Sequence, residues 1–169
     1  MSETVYIGLG SNLGDRELFL KQAIEELGRI EGLAITAVSD IYAGPAEGMS
    51  DDAPPFLNQV IRTECSLTPE ALLRETEGIE TYLGRTDKGG LKSRTLDIDI
   101  VLFGNSSMMT DRLEIPHPRM LKRAFVLAPL LEIDPDLVHP ITGKRLSQYL
   151  TQASCARLEV HSSYVARQV

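Results

Sequence analysis

Arg94-Thr95-Leu96-Asp97-Ile98-Asp99-Ile100-Val101-Leu102-Phe103 is the run on which the reading of this chain turns. It is β-branched and apolar, holds no Gly or Pro, and alternates at its start, which predicts a β-strand. Successive side chains of a strand point to opposite faces, so Leu96, Ile98, Ile100 and Leu102 share one face. Asp97 and Asp99 share the other, with Cα atoms roughly 6–7 Å apart. Two carboxylates at that spacing repel by about 3 kcal/mol at an effective dielectric near 20, and by under about 1 kcal/mol in water. The pair therefore faces solvent or is neutralised. One reading is an amphipathic strand with a wet acidic face. The other is a divalent-cation site, since hard carboxylate oxygens suit Mg²⁺ and phosphates complete its shell. Val101 and Phe103 continue the acidic face as apolar residues, which covers it in part, and Arg94 opens the strand where phosphates would meet it. Both features favour the cation.

Outward from that strand, 169 residues suit one domain with a real core. A content of 43% hydrophobic and 24% charged residues is that of an ordinary globule. No run approaches the ~18 apolar residues of a membrane span, and Met1 to Glu3 lead directly into a strand, so a cytoplasmic protein is expected. Cys65 and Cys155 form neither a disulfide framework nor a CxxC pair. The net charge of −7 argues against a duplex-binding surface, but it is unevenly spread. Between Arg85 and Arg123 stand eight Lys/Arg against five acids, in a chain otherwise strongly acidic. A basic segment enclosing an acidic pair suits a small polyanion bound with a metal, not a long nucleic acid.

Thr4–Leu9 reads as a short strand, Gly10-Ser11-Asn12-Leu13-Gly14 as a turn, and a helix begins near Asp15 with Leu20, Ala23, Ile24, Leu27 and Ile30 as its buried stripe. Gly8 and Gly10 suggest a dinucleotide fingerprint, but Leu13 stands where the third glycine is needed, and the motif fails. Leu33–Tyr42 is predicted as a second strand. Residues 43–55 (AGPAEGMSDDAPP) form a long Pro/Gly loop, of a kind that often binds ligands. Phe56–Cys65 is a third strand, in which Asn58 shares a face with Phe56 and Val60 and needs a partner. Thr68-Pro69 starts a helix, with Thr68 as N-cap and Gly84 closing it. Glu80 lies on or beside its buried side. Residues 106–115 suggest an edge hairpin. A helix is expected from Arg119 to about Leu131, bent or split by Pro129. The segment after Gln152 has no clear period.

The order β-α-β-β-α-β is the split βαβ arrangement: an α+β, ferredoxin-like fold with helices on an antiparallel sheet and a C-terminal appendage. The first strand and the Asp97 strand are expected at its centre. Residues 1–152 are expected to form the domain, and 153–169 a tail of undetermined structure. The fold alone implies no function. An RNA binder of this fold would carry paired exposed aromatics on a strand, whereas Tyr6 is isolated.

Five segments together resemble the 6-hydroxymethyl-7,8-dihydropterin pyrophosphokinase (HPPK) family. They are Gly10–Arg16 (GSNLGDR), Phe56-Leu57-Asn58, Glu80 with Gly84-Arg85, Arg94–Asp99 (RTLDID), and Pro116–Met120 (PHPRM) followed by Arg123–Leu127 (RAFVL). The resemblance implies transfer of pyrophosphate from ATP to the pterin hydroxymethyl group, releasing AMP, in folate biosynthesis. It implies two Mg²⁺ ions on Asp97 and Asp99, and catalytic contacts to the phosphates from Arg85 and Arg94. Glu80, Arg112, His117 and Arg123 would serve ATP. Phe56 and Phe125 would sandwich the pterin, Asn58 would read its polar edge, and Gly44, Pro45 and Gly48 would complete the pocket. The partners expected are these small molecules, with no nucleic acid and no membrane, on a monomer or weak dimer.

Taken singly, these residues have plainer readings: Phe56 and Phe125 as core, His117 as a surface or capping histidine in a His-Pro dipeptide that recurs at His139-Pro140, Arg85 as a cation at a helix C-terminus. The chain also departs from the family's pattern. Gly90-Leu91-Lys92-Ser93 precedes Arg94 where an aromatic and Gly-Pro or Gly-Ala are usual, and Asp87-Lys88 replaces a second arginine after Arg85. Lys88 supplies a point charge without the guanidinium fork. A noncatalytic pterin- or nucleotide-binding relative is the alternative, against which both aspartates and Arg94 stand.

Overall fold

The computed structural model describes residues 2–44, 55–84, 96–150 and 158–162. The order is β1 (Glu3–Ser11), α1 (Arg16–Gly28), β2 (Leu33–Val38), β3 (Ile41–Gly44), β4 (Phe56–Cys65), α2 (Pro69–Tyr82) and β5 (Asp97–Phe103). A two-stranded hairpin, β6 (Met108–Met109) and β7 (Glu114–Ile115), follows, then α3 (Ala124–Ile133) and β8 (Glu159–Ser162). The main sheet runs β5-β1-β4-β3-β8, every pair antiparallel, with β2 also on β4. β1 and β4 therefore hold the centre. β5 lies at the edge beyond β1, not in the centre as its apolar run suggests, and the backbone N–H of His117 covers that edge by donating to the Val101 carbonyl at 2.9 Å.

Alternation sends side chains to two cores. Val5, Ile7 and Leu9 of β1 and Ile98 and Ile100 of β5 meet Leu20, Ala23 and Leu27 of α1 and Leu72 and Ile79 of α2. On the opposite face Tyr6, Val60, Val101 and Leu102 meet Met120, Leu127, Leu130 and Leu146. The phase of β5 breaks near its end. The β1 register steps from Ile7↔Ile100 to Tyr6↔Leu102, so Val101 is the extra residue of a bulge. Leu102 thus leaves the face of Ile98 and Ile100, and Phe103 rejoins it.

Both long helices start as their caps predict. The Asp15 carboxylate accepts from Leu18 N–H, and the Thr68 hydroxyl accepts from Ala71 N–H with Pro69 following. The strand expected over Leu33–Tyr42 is two strands. Ser39, fully buried, interrupts it: its N–H donates to the Val60 carbonyl, and its hydroxyl accepts from Val60 N–H, each at 2.9 Å. One side chain thereby replaces a ladder bond, and the chain turns along the edge of β4.

The helix expected from Arg119 is also divided, at Arg123 and not at Pro129. A 3-10 turn, Met120–Lys122, precedes an extended Arg123, and α3 then runs through Pro129 to Ile133. The far end of α3 is tied to the sheet. Asp134 accepts from the Tyr6 hydroxyl and from Arg62, and Glu132 accepts from the Tyr42 hydroxyl at 2.7 Å. The tail, aperiodic in sequence, returns as β8.

Candidate active site

The antiparallel registers build the site. Gly10 pairs with Asn58 on one side and Asp97 on the other, and Gly8 pairs with Val60 and Asp99. All these positions lie on the face of Tyr6, Val60 and Val101, so two rows cross β4, β1 and β5 on one surface: Asn58–Gly10–Asp97 and Val60–Gly8–Asp99. Strands are about 4.8 Å apart, which places Asn58 and Asp97 about 10 Å apart at Cα, with a glycine as the residue between them. The glycines rejected as a nucleotide fingerprint are the floor of this trough. A Cβ on Gly10 would stand 3.2 Å from Asn58 Oδ1 and 3.5 Å from Phe56 Cδ1, and one on Gly8 would stand 3.3 Å from Val101 Cγ2. Sequence reading placed Gly10 and Ser11 in a turn; they belong to β1. The period-2 spacing of Tyr6, Gly8 and Gly10 was the signal that both glycines share a face.

Asn58 is 6% exposed, and its Nδ2 has no hydrogen-bond partner among the described residues. A buried amide left with idle donors is costly unless a ligand takes them. Tyr42 lies opposite Asn58 on β3, and Gly44 opposite Phe56, so the wall of the trough beyond Asn58 comes from β3. Sequence reading did not single out Tyr42.

At the other end Asp97 is half-buried and Asp99 exposed, and neither is without an interaction partner. Between them the Ile98 N–H donates to Glu80 Oε2 at 2.8 Å. Glu80 is 7% exposed, so α2 reaches under the sheet and grips the strand between its two carboxylates. Among the described residues no group of three His, Cys, Asp or Glu gathers as a metal site. Two hard oxygen donors are what the chain offers. That set fits Mg²⁺, which keeps several waters and is commonly held by one or two carboxylates plus substrate phosphates.

His117 lies along the outer edge of β5. Its Nδ1 accepts from Arg119 N–H at 3.2 Å, so the proton of the neutral ring is on Nε2. Burial, reinforced by the Arg123 and Arg119 charges against a weaker pull from Glu114, lowers its pKa to about 4. Arg123 lies over the Phe125 ring, 5.4 Å from its centroid, so residues expected to serve different substrates form one cation–π unit. Arg112 is drawn aside: it pairs with Glu77 on α2, one turn before Glu80. Arg85, Arg94, Pro45 and Gly48 lie outside the described residues, as does the departing segment 87–93. Both boundaries of the stretch 45–54 lie at this end of the sheet, since Gly44 pairs with Phe56, and so does the far boundary of 85–95, since Asp97 pairs with Gly10. His139 is a buried turn organiser, its Nδ1 accepting from Ile141 and Thr142 N–H.

The fold is ferredoxin-like α+β, and one face of its sheet carries a pair of carboxylates and a buried amide with an unpartnered Nδ2. The family model for 7,8-dihydro-6-hydroxymethylpterin-pyrophosphokinase matches residues 6–135. A Bacillus subtilis 2-amino-4-hydroxy-6-hydroxymethyldihydropteridine pyrophosphokinase is 46% identical over 133 residues, covering 79% of each chain. The folic acid synthesis protein fol1 of Pneumocystis carinii is 45% identical over 151 residues, 88% of this chain and 20% of that protein. A Plasmodium falciparum HPPK-DHPS structure with pteroate superposes with a TM-score of 0.70 at 14% identity, covering 88% of this chain and 42% of that one, a likeness of fold. The chain thus spans about a fifth of the fungal protein and under half of the Plasmodium one. It belongs to the 7,8-dihydro-6-hydroxymethylpterin-pyrophosphokinase family. Its class is therefore that of an enzyme, a pyrophosphokinase of folate biosynthesis. No described helix is long and apolar enough to cross a membrane.

Proposed function

We propose that this chain transfers pyrophosphate from ATP to the hydroxymethyl oxygen of 6-hydroxymethyl-7,8-dihydropterin, giving the pterin diphosphate and AMP, with two Mg²⁺ ions on Asp97 and Asp99. The observation that carries the reading is the row Asn58–Gly10–Asp97. It sets a buried amide with an unpartnered Nδ2 across one glycine from the Asp97 carboxylate, on a single face of the sheet. A flat heterocycle seated on Gly10 would give its ring edge to Asn58 and present its hydroxymethyl arm toward Asp97. Phe56, whose ring borders Gly10, would stack on one side and Phe125 on the other, with Gly44, Pro45 and Gly48 closing the pocket.

The hydroxyl must attack the β-phosphorus in line while AMP departs, so the work is positioning and neutralising charge. Mg²⁺ bound by Asp97 and Asp99 would supply Lewis-acid neutralisation of the triphosphate. The chain's own residues do the rest. Glu80, through the Ile98 amide, holds the strand that carries both aspartates. His117, neutral at physiological pH, would donate Nε2–H to the nucleotide without adding charge. Arg123, braced on Phe125, would place its guanidinium on phosphate oxygens. Arg85 and Arg94 would grip the transferred group. Arg112, committed to Glu77, would contribute at the nucleotide's margin. Residues 1–152 would form the catalytic domain of a cytoplasmic enzyme, active as a monomer or weak dimer. The test is a product assay with ATP, Mg²⁺ and the hydroxymethyldihydropterin: pterin-dependent AMP supports the reading, and ADP or no turnover opposes it.

A further inference from the structure

The family match ends at residue 135, yet the chain comes back to the sheet at Leu158. β8 pairs with β3 through Tyr42↔Val160 and Ala43↔Glu159, and Leu158 Cδ1 lies 3.3 Å from where a Cβ on Gly44 would be. On its other side β3 pairs Gly44 with Phe56 and Tyr42 with Asn58. β8 therefore backs the strand that lines the pterin end of the trough. Apolar burial of its own side chains is not what secures it, because Glu159, Val160 and His161 are exposed. The backbone ladder, Leu158 on Gly44 and one polar contact do so: His161 Nε2 lies 2.7 Å from Glu17 Oε1 in the first turn of α1. The preceding residue, Arg16, donates from Nη1 to the Pro55 carbonyl at 2.7 Å, immediately before Phe56. Consecutive residues of one helical turn thus hold the two flanks of the pocket wall. Arg16 holds the start of β4, and Glu17 holds the strand behind β3.

We infer that β8, clasped by Glu17 and His161, together with Arg16 on Pro55, positions Gly44 and Phe56 and so sets the affinity for the pterin, leaving the nucleotide end to other residues. The inference rests on the pterin reading above. An exposed contact of this kind adds little to global stability, and an edge strand stripped of its neighbour loses one side of its ladder. The consequence is accordingly local, at the wall that β3 and β4 share. Asp97, Asp99 and His117 lie beyond β1, on the far side from β3.

The experiment compares the full chain with His161→Ala, Glu17→Ala, the double variant, His161→Gln, and a chain ending at Arg157. The parent's pterin-dependent AMP is measured first, then Kd for the pterin with a non-hydrolysable ATP analogue, Kd for that analogue alone, and Tm. The expected result is pterin affinity weakened roughly threefold to thirtyfold in His161→Ala and in the shortened chain. Analogue affinity and Tm stay near parental, and the double variant is no worse than either single one. His161→Gln, which keeps a donor for Glu17, restores most of the loss, as a merely structural role would not require. Unchanged pterin affinity, or parallel loss of both affinities with a fall in Tm, overturns the inference while the functional reading stands. A parent without pterin-dependent AMP overturns the reading and the inference together.

Discussion

Asp97 and Asp99 contribute little burial and much charge, and in the proposed function they hold the metal ions. Asp97→Ala removes one of two close like charges from a half-wet surface, so the fold should persist with Tm essentially unchanged. Turnover should fall by at least about 100-fold, the usual scale for losing one electrostatic stabiliser. A folded Asp97→Ala protein with near-normal rate would remove the metal assignment. Gly10 matters for what it lacks. In Gly10→Ala the new Cβ stands 3.2 Å from Asn58 Oδ1, which must yield. Calorimetry should show weakened pterin binding with the ATP analogue unaffected, and equal pterin affinity would count against the trough. His117 gives a pH signature. Its folded pKa, about 4, lies below its ordinary 6.5. The unfolded chain therefore takes up the proton first, and the stability that neutral His117 contributes is intact above about pH 6.5 and lost as pH falls toward 4. Denaturant midpoints between pH 7 and 4.5 should fall less steeply in His117→Asn than in the parent, and an NMR titration midpoint near 6.5 would refute the assignment.

Among elements, the short helix-to-strand tie is the sharpest test of how β5 is held. Glu80→Ala leaves the buried Ile98 N–H without its acceptor, a loss of about 1–3 kcal/mol, and should speed exchange of that amide. Glu80→Gln retains a carbonyl oxygen there and should recover most of the stability; equal losses in both variants would show that charge, not the hydrogen bond, matters. What was legible in sequence follows from whether a signal is local. Thr68-Pro69 and Asp15 set helix starts by bonds within one turn, and β4 was read residue for residue because its turn-rich flanks lie beside it. The edge position of β5 was not legible, because a strand covered by two helices on one face and by the 117–133 segment near its end on the other has the apolar run of a central one. The bulge at Val101 leaves period 2 intact on either side while moving Leu102 and Phe103 to opposite faces. The break at Ser39 depends on a hydroxyl completing a ladder with Val60, 21 residues away. β8 was invisible for a further reason: it is held by its backbone ladder and the His161–Glu17 contact with a residue 144 positions away, and its exposed side chains carry no period.

For the whole molecule, a chain of net charge −7 concentrates its basic residues in the segment that also carries Asp97 and Asp99, which suits a small, metal-neutralised polyanion. The motif order, the sheet order and the match over residues 6–135 agree on one family. Asp97, Asp99 and Asn58 were legible as candidates from their types and spacing, Phe56 only through the family resemblance, and the sheet brings all four onto one surface. Of the two glycines between them, Gly8 is legible as a strand residue, whereas Gly10 reads as a turn and belongs to β1. The central claim is that this surface moves a pyrophosphoryl group onto a pterin. Its most direct measurement is the identity of the nucleotide released when the purified chain meets ATP, Mg²⁺ and 6-hydroxymethyl-7,8-dihydropterin. Pterin-dependent AMP, formed in equal amount with the pterin diphosphate and absent in Asp97→Ala, is the predicted result. ADP would contradict it by showing single phosphoryl transfer, and AMP formed equally without the pterin would contradict it by showing that the trough does not bind the acceptor.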